Sequence, residues 1–185
     1  MANLGDDLQS RTCIQEYTLG QRAIDIAESL LKHKPKIIGL GIYIWNIDIS
    51  SELVEILKAV APRVKIILGG PEVSFEWEQQ AIVAQADYLI CGEGELQFRE
   101  LATRLLGGKI PLNKVLPAIP APIAELQLPY DFYSDQDIAH RVLYVEASRG
   151  CPFRCEFCLS SLGSAVRDFP LSHFLEAMEK LLERG

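Results

Sequence analysis

The chain of 185 residues has no apolar run long enough to cross a membrane and no cluster of basic residues. A membrane-spanning helix needs roughly 20 predominantly apolar residues in a row. The 25 acidic side chains outnumber the 18 basic ones, so the net charge is −7 and no face is marked for a nucleic-acid backbone. We expect neither a membrane nor a nucleic acid as a partner.

The amino terminus also lacks the features of a targeting segment. Residues 1–7 read MANLGDD, with neither a basic start nor an apolar core, so we expect neither a signal peptide nor an anchor. Three of the five cysteines fall within residues 151–158, which fits a reducing compartment better than a disulfide framework. We therefore expect a cytoplasmic protein in which Cys13 and Cys91 are small buried hydrophobes in strands.

Two nucleotide-binding fingerprints are missing as well. The segment Gly92-Glu-Gly94 lacks the third glycine and the downstream acidic residue of a dinucleotide site, and no GxxxxGK[ST] loop occurs. The sequence therefore gives little support to a site that binds nucleotide phosphates.

Three cysteines, Cys151, Cys155 and Cys158, stand together in the stretch SRGCPFRCEFCL of residues 148–159. Structural zinc sites normally use four protein ligands in separated pairs, and clusters held entirely by protein use four cysteines. Three thiolates without a local fourth ligand indicate an open coordination position. A zinc knuckle completed by a distant His or Cys is the alternative.

The flanks of this loop predict a strand before it and a helix after it. Residues 141–148 are rich in β-branched and aromatic side chains, and Arg149-Gly150 provides a turn. Pro170 marks a helix start, followed by apolar residues at helical spacing.

Upstream, short apolar strands alternate with amphipathic helices. The predicted strands are 12–17, 36–43, 64–68 and 87–91, and the predicted helices are 21–32, 51–60 and 95–106. This alternation predicts an α/β fold with a parallel sheet covered on both faces.

Glycine-rich loops follow the predicted strands at the edge where such sheets bind ligands. These loops contain Gly69, Gly70 and Pro71 in one case and Gly92, Glu93 and Gly94 in the other; Tyr43, Trp45 and Asn46 follow another strand. Glycine accepts positive φ and has no side chain, so the backbone can approach a ligand closely.

The region from 109 to 140 is rich in proline, and its apolar residues show no sustained periodicity. Both features are typical of an ordered connection between domains. We predict an α/β domain at 1–108, a proline-rich linker at 109–140 and the beginning of a second domain at 141–185.

The CxxxCxxC loop resembles that of the radical S-adenosylmethionine (SAM) family. The resemblance implies that Cys151, Cys155 and Cys158 hold a [4Fe-4S] cluster whose fourth iron binds SAM, which is cleaved reductively to a 5′-deoxyadenosyl radical. It also implies that Phe157 lies near the adenine, and that an electron donor such as flavodoxin or ferredoxin is a partner.

The order of features along nearly the whole chain resembles the cobalamin-binding radical SAM enzymes. The resemblance implies a flavodoxin-like (Rossmann-like) cobalamin-binding domain, lacking its first strand and helix, followed by the start of a radical SAM (β/α) barrel. The glycine loops, with Tyr43, Trp45 and Asn46, would then contact cobalamin. The DxHxxG motif is missing, because none of His33, His140 and His173 has that pattern, so no histidine from it ligates the cobalt.

By this resemblance the chain is an N-terminal fragment of an enzyme that cleaves SAM, most simply for radical methyl transfer to an unactivated carbon. We assign no catalytic residue, and we expect the fragment alone to be inactive or nearly so. The alternatives are oxidative or cyclising radical chemistry, a module that binds cobalamin or a partner without catalysis, and a structural zinc protein.

Overall fold

The computed structural model describes residues 1–153, 155–159 and 166–185. It divides into two compact units: Leu4–Pro120, here the first unit, and Met1–Asn3 with Ala121–Gly185, here the second unit. The proline-rich stretch is thus shared between the two units.

No helix within the described residues is both long enough and apolar enough to span a membrane.

The first unit is built on a four-stranded parallel sheet with the order β1-β2-β3-β4. The strands are β1 (Ile37–Gly41), β2 (Lys65–Gly69), β3 (Tyr88–Ile90) and β4 (Val115–Leu116). The helices are α1 (Asp6–Gln9), α2 (Ala23–Lys32), α3 (Ile47–Val60), α4 (Pro71–Ser74), α5 (Ala81–Gln85) and α6 (Glu95–Leu106), with a 3₁₀ turn at Trp77–Gln79.

Both faces of the sheet are buried, as the continuous apolar strands predict. Successive side chains of a strand point to opposite faces, so Ile66 and Leu68 pack with α2, α3 and α5 while Ile67 packs with α6. Helix α2 shows the sequence basis of this packing, since Ala23, Ile26 and Ala27 form one buried stripe at helical spacing. The predicted parallel α/β class is confirmed.

The strand predicted at residues 12–17 is wrong. These residues form no ladder with any described residue, and Cys13 is exposed rather than buried. A strand needs a partner for its backbone groups. A cavity of about 220 Å³ is lined by Gln15 and Tyr17 of this segment together with Gly39 and Gly41 of β1.

The second unit contains mainly short elements. They are 3₁₀ turns at Ile123–Glu125 and Tyr130–Phe132, the helix α7 (Asp135–His140), the strands β5 (Ser148–Arg149) and β6 (Arg167–Asp168), and the helix α8 (Leu171–Glu183). Ser134 and Asp137 form a capping box that starts α7. Pro170 precedes α8, as predicted.

The strand predicted at 141–148 is largely wrong in its extent. Among the described residues only Ser148 and Arg149 form a ladder, and it is antiparallel to β6. Before these residues, the hydroxyls of Tyr133 and Tyr130 donate hydrogen bonds to the carbonyl oxygens of Tyr144 and Glu146, which a neighbouring strand would otherwise bond. The start of a parallel barrel therefore stays a prediction.

Charged side chains meet at the amino ends of the strands around Asp87. Its carboxylate accepts hydrogen bonds from Lys58 Nζ at 2.8 Å, Lys65 Nζ at 2.9 Å and the Ile66 amide at 2.9 Å. Burial alone would raise the pKa of Asp87, but these hydrogen bonds outweigh it, so the pKa lies below its ordinary value. The ionised carboxylate thus ties α3 and β2 to the start of β3.

We predict that Asp87→Asn lowers the free energy of unfolding of the first unit by about 1–3 kcal/mol at neutral pH. Because the folded pKa is depressed, the stabilisation is complete above the ordinary value of 3.8 and disappears as the pH falls through the folded pKa. Urea unfolding at several pH values, followed by tryptophan fluorescence, measures this, since Trp45 and Trp77 both lie in the first unit.

The matched control is Glu28→Gln. Glu28 forms an exposed pair with Lys32 at 3.0 Å, and such pairs contribute at most about 1 kcal/mol. Equal stabilities of the two variants throughout the pH range would contradict the role of Asp87.

Candidate cofactor sites

The loops that follow β1, β2 and β3 lie at one edge of the sheet, because the strands are parallel. The β1–β2 ladder continues beyond the last strand pair, where the Ile42 amide donates to the Gly69 carbonyl oxygen at 2.7 Å. The Glu72 amide in turn donates to the Ile42 carbonyl oxygen at 3.3 Å. The first two loops are therefore joined backbone to backbone.

Gly70 makes this junction sterically possible. Its φ is +106°, and a Cβ at this position would lie 2.4 Å from the Ile42 carbonyl oxygen. Any other residue would be both strained and in collision. Pro71 then starts α4 at a position where a helix has no use for an amide donor.

Ser74 joins the third loop to the other two. Its hydroxyl donates to the Gly70 carbonyl oxygen at 2.7 Å and accepts from the Gly92 amide at 3.0 Å. Gly92 has a φ of +66°, and a Cβ there would lie 2.7 Å from Ala118 Cβ. Ser74 is not among the site residues predicted from the sequence, although it lies four residues after Gly70, a position from which serine hydroxyls bond back to a carbonyl.

Glu93 and Gly94 complete the third loop. Both are half-buried, and Gly94 caps the amino end of α6, where its carbonyl oxygen accepts from the Phe98 amide at 2.8 Å. The loop therefore leads directly into α6, the helix that covers the sheet face on which Ile67 lies.

An aromatic pair lies in the loop after β1. The rings of Tyr43 and Trp45 stack with centroids 4.6 Å apart and an interplanar angle of 10°, and Trp45 is 63% exposed. The Asn46 side chain closes this loop, since its Oδ1 accepts from the Tyr43 amide at 2.8 Å and its Nδ2 donates to the Gly41 carbonyl oxygen at 2.9 Å. Asn46 thus shapes the loop that presents the rings.

Cys91 is buried beside the third loop, as predicted, directly after β3. Burial raises the pKa of its thiol, and the negative charge of Glu78 raises it further. A neutral thiol here behaves as a small apolar side chain.

The cysteine loop of the second unit is more open. Cys155 is exposed, Cys151 and Cys158 are half-buried, and Phe157 is 94% exposed. The Cys158 amide donates to the Cys155 carbonyl oxygen at 3.2 Å, which forms a tight turn between two of the thiols. Within the described residues, no three His, Cys, Asp or Glu side chains are arranged to hold a metal ion.

Comparison with known proteins identifies one matching family and several similar proteins. The B12 binding domain family matches residues 13–102. An uncharacterized methyltransferase of Pyrococcus horikoshii is 34% identical in an alignment that covers 85% of this chain and 39% of that protein. The cobalamin-dependent radical SAM methyltransferase TokK of Streptomyces tokunonensis is 27% identical over 68% of this chain and 22% of its own length. The anaerobic magnesium-protoporphyrin IX monomethyl ester cyclase of Rubrivivax gelatinosus is 28% identical over 72% of this chain and 28% of its own length.

The first unit contains a B12 binding domain. The chain is similar to proteins that include a cobalamin-dependent radical SAM methyltransferase. The chain spans less than two-fifths of each of these three relatives.

The loop edge of the B12 binding domain fits a corrin in its chemistry. The glycines expose backbone, the stacked rings offer an apolar surface, and none of the three loops contains a histidine. His33, the one histidine of the first unit, follows α2 and lies before β1, at the opposite edge of the sheet.

The donor set of the cysteine loop fits an iron–sulfur cluster, since thiolates are the usual protein ligands of such clusters. In a cluster the thiolates bind different iron atoms, so they need not converge on one point as the ligands of a single ion do. Cys151, Cys155 and Cys158 stay a predicted ligand set, and Phe157 a predicted contact.

We predict that Ser74→Ala separates the second and third loops of the B12 binding domain. The Gly92 amide loses its acceptor, so its hydrogen exchange should accelerate, and the free energy of unfolding should fall by about 1–2 kcal/mol. Exchange at Gly92 and urea unfolding measure the two effects.

Ser51→Ala is the matched control, because the Ser51 hydroxyl donates only within its own helix, to the Ile47 carbonyl oxygen at 2.7 Å. If both variants left Gly92 exchange unchanged, Ser74 would not link the loops.

Proposed function

We propose that this chain supplies the cobalamin-binding edge and the cluster ligands of a radical SAM methyltransferase. The main support is that the B12 binding domain family matches the first unit. In that unit the loops after β1, β2 and β3, at the carboxyl edge of the sheet, are joined through Ile42, Gly70 and Ser74. A CxxxCxxC loop follows that unit in the same chain. The whole protein's substrate would be an unactivated carbon centre.

In this proposal the loop edge holds cobalamin through backbone and apolar contacts. The Gly69-Gly70-Pro71 and Gly92-Glu93-Gly94 loops would lie against the corrin or its nucleotide tail, and the rings of Tyr43 and Trp45 would pack on its apolar surface. Aromatic side chains provide large apolar contact areas with defined geometry. Without a histidine in these loops, the cobalt would have no imidazole ligand from them.

Cys151, Cys155 and Cys158 would bind three irons of a [4Fe-4S] cluster and leave the fourth to SAM, with Phe157 beside the adenine. When bound, these cofactors supply radical generation and a transferable methyl group, while the protein positions them and excludes water. A low-potential electron carrier such as flavodoxin or ferredoxin would be the redox partner.

A second candidate is radical ring closure without methyl transfer. It is favoured by the similarity to the Rubrivivax gelatinosus cyclase over 72% of this chain. The two are distinguished by the products of the longer protein with labelled SAM, since only the methyltransferase moves the labelled methyl group to its substrate.

We predict that the chain binds hydroxocobalamin with one-to-one stoichiometry and that Trp45→Ala weakens binding about two- to thirteenfold. Loss of one aromatic contact costs about 0.5–1.5 kcal/mol. Titration followed by cobalamin absorbance and tryptophan fluorescence measures the dissociation constants.

Two controls accompany this titration. Leu112→Ala removes a fully exposed apolar residue just before β4, at the opposite edge of the sheet, and His33→Ala removes the only histidine of the first unit. Both variants should bind as the unaltered chain does. If the unaltered chain took up no cobalamin, the cobalamin part of the proposal would fail.

We predict that anaerobic incubation with iron and sulfide produces a [4Fe-4S] cluster in the unaltered chain but no stable cluster in Cys151→Ala, Cys155→Ala or Cys158→Ala. Each variant lacks one of the three thiolates. Iron analysis and electron paramagnetic resonance of the reduced samples, with and without SAM, measure the outcome.

Cys13→Ala is the control, because Cys13 is an exposed cysteine outside the loop. Its cluster content should equal that of the unaltered chain. Stoichiometric zinc in place of iron, lost on replacement of Cys158, would instead support the structural zinc alternative.

A further inference from the structure

The segment that leads to the cysteine loop is bonded along one edge by two tyrosine hydroxyls. The Tyr133 hydroxyl donates to the Tyr144 carbonyl oxygen at 2.9 Å and accepts from the Tyr144 amide at 3.3 Å. The Tyr130 hydroxyl accepts from the Glu146 amide at 2.7 Å and donates to the Glu146 carbonyl oxygen at 3.2 Å. Each hydroxyl acts as one donor and one acceptor, as a residue of an adjacent strand does.

The distance between the Tyr130 and Tyr133 rings matches the distance between alternate residues of a β-strand. One turn of a 3₁₀ helix contains three residues and rises about 6 Å, with side chains three apart eclipsed. Accordingly, the two rings are parallel to within 2°, with centroids 6.4 Å apart. Residues two apart in a strand are separated by about 6.4–6.8 Å, so both hydroxyls meet successive positions of the same edge.

The turn that carries these rings is itself held in place. Tyr130 is only 4% exposed. Arg184, at the end of α8, donates from Nη2 to the Tyr133 carbonyl oxygen at 2.6 Å and to Asp135 Oδ1 at 2.8 Å. We call Tyr130 and Tyr133 the tyrosine clamp.

Contacts continue from the clamp to the first cysteine. The Glu146 carboxylate accepts from Arg149 Nε at 2.9 Å, and the Arg149 guanidinium lies 5.6 Å from the centre of the Phe169 ring. Ser148 and Arg149 pair with β6. Gly150, with a φ of +92°, then turns the chain into Cys151.

We propose that the tyrosine clamp is a positioning device for the cluster loop: its hydroxyls hold residues 144–146 extended and thereby fix where Cys151 begins the ligand set. This role rests on the proposed function. The clamped residues have no strand partner among the described residues, so the hydroxyls provide the order that a ladder would otherwise provide.

The test compares the unaltered chain with Tyr133→Phe and with the double variant Tyr130→Phe/Tyr133→Phe. Phenylalanine retains the stacked rings and removes the hydroxyls. We expect hydrogen exchange at the Tyr144 and Glu146 amides to become about tenfold faster in the double variant. Tyr133→Phe alone should accelerate Tyr144 selectively, which keeps the test informative if the double variant unfolds.

The second readout is the reconstituted cluster. We expect both variants to lose iron faster and to show a broadened, heterogeneous electron paramagnetic resonance spectrum when SAM is added. The control is Tyr144→Phe, which removes a hydroxyl from a side chain that is 81% exposed and should leave both readouts unchanged.

Unchanged exchange in the double variant would overturn the clamp itself. Faster exchange with an unaltered cluster spectrum would overturn its positioning role. An unaltered chain that takes up no cluster would overturn the proposed cluster function and the positioning role with it, while the exchange data would still show separately whether the hydroxyls order the segment.

Discussion

The close approach of the Gly70 backbone to the Ile42 carbonyl group determines the shape of the carboxyl edge of the sheet. Only a residue without a side chain fits there, because a Cβ would lie 2.4 Å from the oxygen. This approach carries the β1–β2 ladder past the strands and brings Ser74 to the Gly92 amide. Three separate loops thereby become one connected surface, the preorganised kind that binds a large rigid ligand with little further ordering.

The two edges of the sheet have opposite chemistry. The amino edge gathers charge, with Asp87 bonded to Lys58 and Lys65, whereas the carboxyl edge presents glycine backbone and the rings of Tyr43 and Trp45. The carboxyl edge also includes Glu93 of the third loop, which is half-buried. The surface proposed for cobalamin therefore combines apolar rings and glycine backbone with a carboxylate.

The parts of the fold that could be predicted are those that depend on burial. Helix α6 begins and ends where its apolar period predicts, and β1, β2 and β3 agree with their predicted strands to within two residues at either end. The strand predictions at 12–17 and 141–147 were wrong because residues with strand propensity form no ladder unless a partner edge is available. The two-residue β4, within the predicted linker, exists only through its pairing with β3.

The features of the candidate sites also divide into those that the sequence predicts and those that it does not. The glycine loops could be found from the sequence because positive φ demands glycine. The connections through Ser74 and through the tyrosine clamp could not, because they depend on loops and turns that meet only in the folded chain.

The clamp occupies one side of its segment only. The Tyr144 and Glu146 backbone groups are the ones bonded to the tyrosines. The Ala147 carbonyl oxygen accepts from the Phe169 amide at 3.0 Å, next to β6. Because the tyrosine hydroxyls already bond the Tyr144 and Glu146 backbone groups, those groups are not available for the edge-to-edge pairing through which exposed strands aggregate.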